Sequence, residues 1–407
     1  MLTLRDPVHG FVRADPLEAA LLDSRPLQRL RFVHQLGLAS LVFPGAEHSR
    51  FSHAVGAMEL AGRVYDALAA QAPDLLPPGP AARERRLVRL AALTHDLGHA
   101  PFSHSAEGCF EEGLDHEGMT RRLLGTDEIA ACFARHGDGL APAEVAALLA
   151  GGAGASGDDA VGRLLAEVIS GELDVDKMDY LLRDSLFCGV RYGSYDLDRL
   201  LDTVRPLPGG DGDGDGGGWG IGVEEGGLHA VEALVMARYY MFTQVYFNPT
   251  GKALELHLNE WLRETGRRWP ADPEAFLATD DVEVTVELRR SASRHARAIV
   301  DRRHDPLAFE TGEHLTREEV ERFLAVLAEV EAETAPGDLL VSHSAKDPHR
   351  LEASGVLVRH RDGRLEPLAE ASHFIRHLGR IERFRVYSPA PRCAAVAAAI
   401  GRRWRET

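Results

Sequence analysis

Residues 93–104 read Leu-Thr-His-Asp-Leu-Gly-His-Ala-Pro-Phe-Ser-His, and no other run constrains the fold as tightly. Leu87, Leu90, Leu93 and Leu97 recur at helical spacing and predict a helix over 84–97 with one apolar face. Pro101 pushes Ala100 out of α geometry, so that helix should stop near Gly98. His95, Asp96, His99 and His104 therefore crowd the end of a packed helix. Imidazole nitrogen and carboxylate oxygen are the donors that zinc, iron and manganese accept. A helix that only packs has no use for so many titratable groups there. Adjacent residues on a helix point about 100° apart, so His95 and Asp96 can share an ion only at a helix edge. Further ligands must come from elsewhere in the chain, and a metal-dependent hydrolase is the leading expectation.

Helical spacing extends over most of the sequence. It predicts helices over 53–70, 117–124, 142–150, 161–187, 228–247, 250–265, 273–279 and 316–333. Gly209 to Gly218 alternates glycine with aspartate and reads as a surface loop leading to a short strand at 219–223. Asp211, Asp213 and Asp215 copy the opening of a calcium loop, but its twelfth position is Gly222, where a bidentate glutamate is required. Beyond 335 the texture changes to strands at 338–342, 355–360 and 364–368, with a turn at Asp362-Gly363, and a closing helix over 389–404. The expected fold is mainly α, with a helical domain over 1–334 (loop 207–218) and a smaller α+β lobe over 335–407.

Composition narrows the partners. The 407 residues carry 46 Lys and Arg against 63 Asp and Glu, a formal charge of −17. Such a surface repels nucleic acid and anionic membrane, so an anionic substrate needs arginines and lysines gathered in a pocket. Cys109, Cys132, Cys188 and Cys393 form no C-x-x-C pair, which argues against a zinc knuckle and fits a reducing compartment. The start lacks a basic segment followed by an apolar core, and no apolar run reaches the roughly 20 residues of a membrane span. A cytoplasmic protein is expected.

Two other segments carry ligand types where packing does not ask for them. His53 sits at a helix start in Arg50-Phe-Ser-His53, and Asp176 lies in Asp174-Val-Asp-Lys-Met-Asp-Tyr-Leu-Leu-Arg-Asp184, where four aspartates interrupt a core-like helix. The order His53, His95-Asp96, Asp176 resembles the signature of HD-domain metal-dependent phosphohydrolases. The words Asp6-Pro-Val-His-Gly10, Gln28-Arg-Leu-Arg31, His34-Gln-Leu-Gly37, Phe43-Pro-Gly-Ala46 and Asp174-Val-Asp-Lys-Met-Asp-Tyr180 are similar to deoxynucleoside triphosphate triphosphohydrolases. Within that group the chain resembles the catalytic half of the SAM-and-HD-domain enzymes and their bacterial relatives. The resemblance covers about residues 1–250.

The resemblance implies His53, His95, Asp96 and Asp176 as ligands of an iron, manganese or zinc ion, with magnesium on the substrate phosphates. It implies His99, His104, Glu107 and His116 around the reacting phosphate, Glu107 standing where relatives carry aspartate. Arg50, Lys177, Tyr180 and Arg238 fall where relatives hold triphosphate and sugar. Gln35 and Asp184 match residues that bind the 3′-hydroxyl, and Leu36 and Tyr246 those that crowd C2′. A histidine of some relatives is Phe242 here. Asp23, Gln28 and Arg31 match a GTP or dNTP activator site between subunits, although an asparagine of that site is Arg5. The implied protein is a dNTP triphosphohydrolase working as a homodimer or homotetramer. Its implied reaction gives deoxynucleoside and inorganic triphosphate, with allosteric activation by nucleotide. Imidazole titrates near neutrality, so His104, or His116 with Glu107, is the expected proton donor. Two rival functions remain: an HD hydrolase of another nucleotide (signalling-nucleotide phosphodiesterase, pyrophosphohydrolase or 5′-nucleotidase), which would share the ligand set, and a non-catalytic nucleotide sensor, against which the complete ligand set speaks.

Overall fold

The computed structural model describes residues 1–155, 159–208, 218–347 and 356–406, and the side chains of His104, Asp159 and Glu406 are not among those described. Most of the Gly/Asp loop, from 209 to 217, therefore lies outside the described residues. The helix Arg50–Gln71 is the axis of the molecule. His53, Val55, Met58, Leu60, Val64 and Leu68 are all buried along it, because helices Arg83–Thr94 and Val175–Cys188 flank it. A helix enclosed in this way needs no polar face.

Several expected elements are corrected by the structure. The segment 161–187 is two helices, Asp159–Ser170 and Val175–Cys188. Asp174 caps the second, its Oδ1 accepting from Lys177 N at 2.8 Å. The apolar spacing hid the break because Ile169 and Leu173 are both buried across it. The segment 228–247 is α-helical only over Leu228–Met241, and Phe242–Tyr246 widens into a π-helical turn, a form common at functional sites. The expected helix over 84–97 ends at Thr94, with His95 as its C-cap.

Three small sheets complete the fold. Strands β1 (Leu2–Asp6) and β2 (Gly10–Ala14) form an antiparallel hairpin that the sequence reading missed. Strands β3 (Val204–Pro208), β4 (Trp219–Glu224), β7 (Leu357–Arg359) and β8 (Leu365–Pro367) form one sheet, in which β4 and β7 run parallel. Strands β5 (Leu307–Glu310), β9 (Ile381–Tyr387) and β6 (Leu340–Lys346) form the third. Around it lies a second core of Phe323, Val326, Val330, Phe384, Val386, Val396 and Ile400. The packing therefore does not change at the expected residue 335: helix Arg317–Ala332 belongs to the C-terminal core, and β7 and β8 join the sheet of the helical body. Among the described residues no helix is long and apolar enough to cross a membrane.

A buried histidine pair joins helices Pro249–Thr265 and Arg294–Val300. His257 Nε2 accepts from the Asp305 amide at 3.1 Å, so its proton sits on Nδ1, which lies 2.9 Å from His295 Nδ1. Burial, together with His295 and Arg294, pushes the His257 pKa down to about 3. The unfolded chain takes up a proton near pH 6.5 that the folded chain refuses. Stability should therefore fall as pH drops from 6.5 towards 3, and His257→Asn should flatten urea unfolding midpoints measured across that window.

Candidate active site

Three elements deliver the nitrogen and oxygen donors. His53 lies in the first turn of helix Arg50–Gln71, His95 caps Arg83–Thr94, and Asp176 is in the first turn of Val175–Cys188. The helix break before Asp174 is what points Asp176 at the two histidines. His95 Nδ1 donates to the Ala92 carbonyl at 2.7 Å and His53 Nδ1 donates to Asp179 Oδ2 at 2.7 Å, so both rings turn Nε2 inward. Both Nε2 atoms are buried without a hydrogen-bond partner. His53 Nε2 lies 2.9 Å and His95 Nε2 3.6 Å from Asp176 Oδ1. His53, His95 and Asp176 thus form a group able to hold a metal ion, with ligand atoms all within 4.8 Å of one another. Orphaned imidazole nitrogens facing a carboxylate fit a divalent ion, and a donor set of this kind suits iron, manganese or zinc. Burial disfavours a proton on His53, but Asp176 and Asp179 outweigh it and raise the pKa to about 10.

Asp96 borders this group with a different set of partners. Its Oδ1 is 3.2 Å from both His95 Nε2 and His99 Nε2, and its Oδ2 is 2.5 Å from Arg50 and 3.8 Å from His53 Nε2. Burial alone would raise its pKa, yet Arg50, His95 and His99 hold it well below the usual carboxylate range. Arg50 also donates to Ser103 Oγ at 2.7 Å, which fixes its guanidinium over the site. Behind Asp96, His99 stacks on His116 at 4.3 Å between ring centroids, and His116 Nδ1 bonds Glu107. Gly98 makes this packing possible, since a Cβ there would sit 2.0 Å from the His116 carbonyl oxygen and 2.5 Å from Thr120 N. Neither atom can yield. Gly98→Ala should cost about 1–3 kcal/mol, seen as a lowered denaturant midpoint with unchanged slope.

A cavity of about 1000 Å³ opens from these groups. Gln35, Leu36, Arg50, Lys177, Tyr180, Asp184, Arg238 and Tyr246 all line it, together with His95, Asp96, His99, His116 and Asp176. Lys177 Nζ bonds the Gly171 carbonyl at 2.7 Å and Asp174 at 2.5 Å, and Arg238 lies 3.8 Å from Glu172. At the other end Tyr246 donates to Asp184 Oδ2 at 2.7 Å, while His48 Nε2 bonds Asp184 Oδ1 at 2.8 Å. Gln35 Oε1 is buried without a partner. Tyr180 and Tyr246 meet edge to face at 6.2 Å, and Phe242 packs on Tyr246 at 5.0 Å. Sequence reasoning missed His48, Asp179 and His9. No local word marks them, because their partners lie 126 to 170 positions away.

Asp23, Gln28 and Arg31 lie elsewhere. Asp23 is the exposed C-cap of helix Pro16–Leu22, Gln28 bonds the Leu22 carbonyl at 2.7 Å, and Arg31 bonds Gln28 at 2.9 Å. The Arg31 guanidinium sits 3.6 Å over the Phe51 ring, one residue from Arg50. His104 falls in the 3₁₀ segment Ser103–Cys109, and its side chain is outside the described set.

Residues 50–184, which span Arg50, His53, His95-Asp96, Asp176 and Asp184, match the HD domain, and residues 218–402 match the HD associated region. The chain carries an HD domain followed by an HD associated region. Among solved structures this HD protein superposes on a hypothetical protein from Aquifex aeolicus with a TM-score of 0.80 at 30% identity, covering 98% of this chain and 99% of that one. It shares the fold of a phosphohydrolase from Bacteroides thetaiotaomicron, with a TM-score of 0.71 at 23% identity over 95% of this chain and 99% of that one. It is 37% identical to the uncharacterised protein YwfO of Bacillus subtilis over 70% of this chain and 61% of YwfO. It is 33% identical to the human deoxynucleoside triphosphate triphosphohydrolase SAMHD1 over 50% of this chain and 36% of SAMHD1. The chain thus spans about three fifths of YwfO and little more than a third of SAMHD1.

Proposed function

We propose that this HD-domain protein hydrolyses deoxynucleoside triphosphates to deoxynucleoside and inorganic triphosphate. The observation that carries the reading is that one cavity is lined by His95 and Asp176 of the metal group, by three cations and by the Asp184–Tyr246 pair, with His53 buried behind it. Arg50, Lys177 and Arg238 offset the protein's negative charge where a tetra-anion must sit. Tyr246 and Leu36 supply bulk beside a sugar, and Asp184, oriented by His48 and Tyr246, keeps lone pairs for a 3′-hydroxyl. With Asp96 as a fourth ligand, a bound divalent ion supplies Lewis acidity and water activation near neutral pH. His116 is set to donate a proton to the departing 5′-oxygen, because Glu107 outweighs burial and raises its pKa.

Incubating the protein with each dNTP and rNTP, plus Mn²⁺ or Mg²⁺, tests this directly. Chromatography should show inorganic triphosphate and deoxynucleoside from dNTPs and little from rNTPs. Orthophosphate or pyrophosphate would instead assign a different nucleotide hydrolase, and absence of chelator-sensitive turnover would assign a sensor. The same reading includes a nucleotide activator at Asp23, Gln28 and Arg31 in a dimer or tetramer. If GTP changes neither the oligomer mass nor the rate, that part is wrong.

A further inference from the structure

Asp179 does not line the cavity, yet it is wholly buried beside the metal group. Its two oxygens receive four donors. Oδ2 accepts from His53 Nδ1 at 2.7 Å and Arg183 Nε at 2.7 Å, and Oδ1 accepts from His9 Nε2 at 2.6 Å and an Arg183 terminal nitrogen at 2.9 Å. A carboxylate can accept no more than about four such bonds, so its position is fully determined. Arg183, also unexposed, donates through its other terminal nitrogen to Asp6 Oδ2 at 2.9 Å. Asp6 Oδ1 in turn accepts from the Val8 and His9 amides at 2.9 and 2.8 Å, closing the turn between β1 and β2. The helix carrying His53 is bared to admit this cluster: a Cβ on Gly56 would lie 2.0 Å from Asp179 Oδ1 and 2.2 Å from Arg183.

Packing alone does not call for such an arrangement. Two carboxylates and a guanidinium removed from water are costly, and an apolar trio of similar size would hold the same helices together at least as well. What the ionic cluster does that an apolar one does not is accept the His53 Nδ1 proton and aim Nε2 at Asp176. We propose that Asp179 is the positioning residue of the metal centre, setting the tautomer and orientation of His53, and that the N-terminal hairpin acts on the same centre through His9 and Asp6. The inference rests on the metal-site reading above, and it assigns a task to residues on a hairpin and a helix face that never touch substrate.

Titration of the full-length, metal-stripped protein with Mn²⁺ alone, read by the loss of the free-ion electron paramagnetic resonance signal, tests it without turnover. Asp179→Asn should weaken Mn²⁺ binding by about 10- to 100-fold, the range seen when a partner of a ligating histidine is lost. His9→Phe should weaken it in the same direction, and His9→Gln, which keeps a donor, should restore it. The His9 pair decides the matter should Asp179→Asn fail to fold. If these variants lower the melting temperature of the metal-free protein but bind Mn²⁺ as the parent does, the cluster is merely structural and the inference is overturned. His53→Ala separates the two readings. If it binds Mn²⁺ as tightly as the parent, both the metal site and this inference fall. If it loses Mn²⁺ while Asp179→Asn and His9→Phe do not, only the inference falls.

Discussion

His95→Ala is expected to lose the bound metal ion and about four orders of magnitude or more in turnover while the fold survives. Its Nδ1 bonds the Ala92 carbonyl at a helix C-cap, and loss of that bond should cost only about 1 kcal/mol of stability. The loss in rate comes from elsewhere: without Lewis-acid activation, water near neutral pH is a far weaker nucleophile. Metal analysis and a chelator-controlled rate assay on the purified variant check both halves. A variant that keeps full turnover would show that His95 faces the cavity for another reason. His53→Ala is a less clean test of chemistry, because His53 is unexposed and tied to Asp179.

His116→Ala is expected to lower kcat by a factor on the order of 10² to 10⁴ with metal content unchanged, the range for loss of a positioned general acid. The structure gives this histidine a carboxylate, Glu107, and stacks it on His99 beside Asp96. Burial opposes its protonation and Glu107 overcomes that, so the protonated form persists above the ordinary histidine range. Since the acid must carry its proton, kcat should fall as pH rises through that raised pKa. Glu107→Gln should move the falling limb to lower pH. A pH–rate profile unchanged in Glu107→Gln would take the pair out of the mechanism. His104→Ala, compared in the same assay, tests the other proton donor that the resemblance implies, with the same expected range if that residue carries the proton.

Where sequence words were local, the site could be read from them. His95 and Asp96 announce themselves because one helix end concentrates them, and Asp174 to Asp184 because aspartates interrupt an apolar period. Groups whose meaning is tertiary were not legible. His9 lies on a hairpin of five-residue strands too short to show alternation clearly, and it meets Asp179 only after 170 positions of chain. His48 is a lone histidine in a loop until helix Val175–Cys188 brings Asp184 to it. The break at 171–174 was hidden because buried Ile169 and Leu173 keep the apolar period running across a glycine. Strand β9, the centre of the C-terminal sheet, was missed although Ile381 to Tyr387 carries β-branched and aromatic residues. Glu382, Arg383 and Arg385 break its apolar alternation, and the buried Arg385 is satisfied by Glu310 and the Phe247 carbonyl.

The central claim is that side chains from three separated helices grip a single cation at the floor of the cavity. Anomalous diffraction from crystals grown with Mn²⁺ measures this most directly. The account predicts one strong peak within about 2.0–2.3 Å of His53 Nε2, His95 Nε2 and an Asp176 oxygen. A peak elsewhere, or none at that point under saturating Mn²⁺, would contradict it.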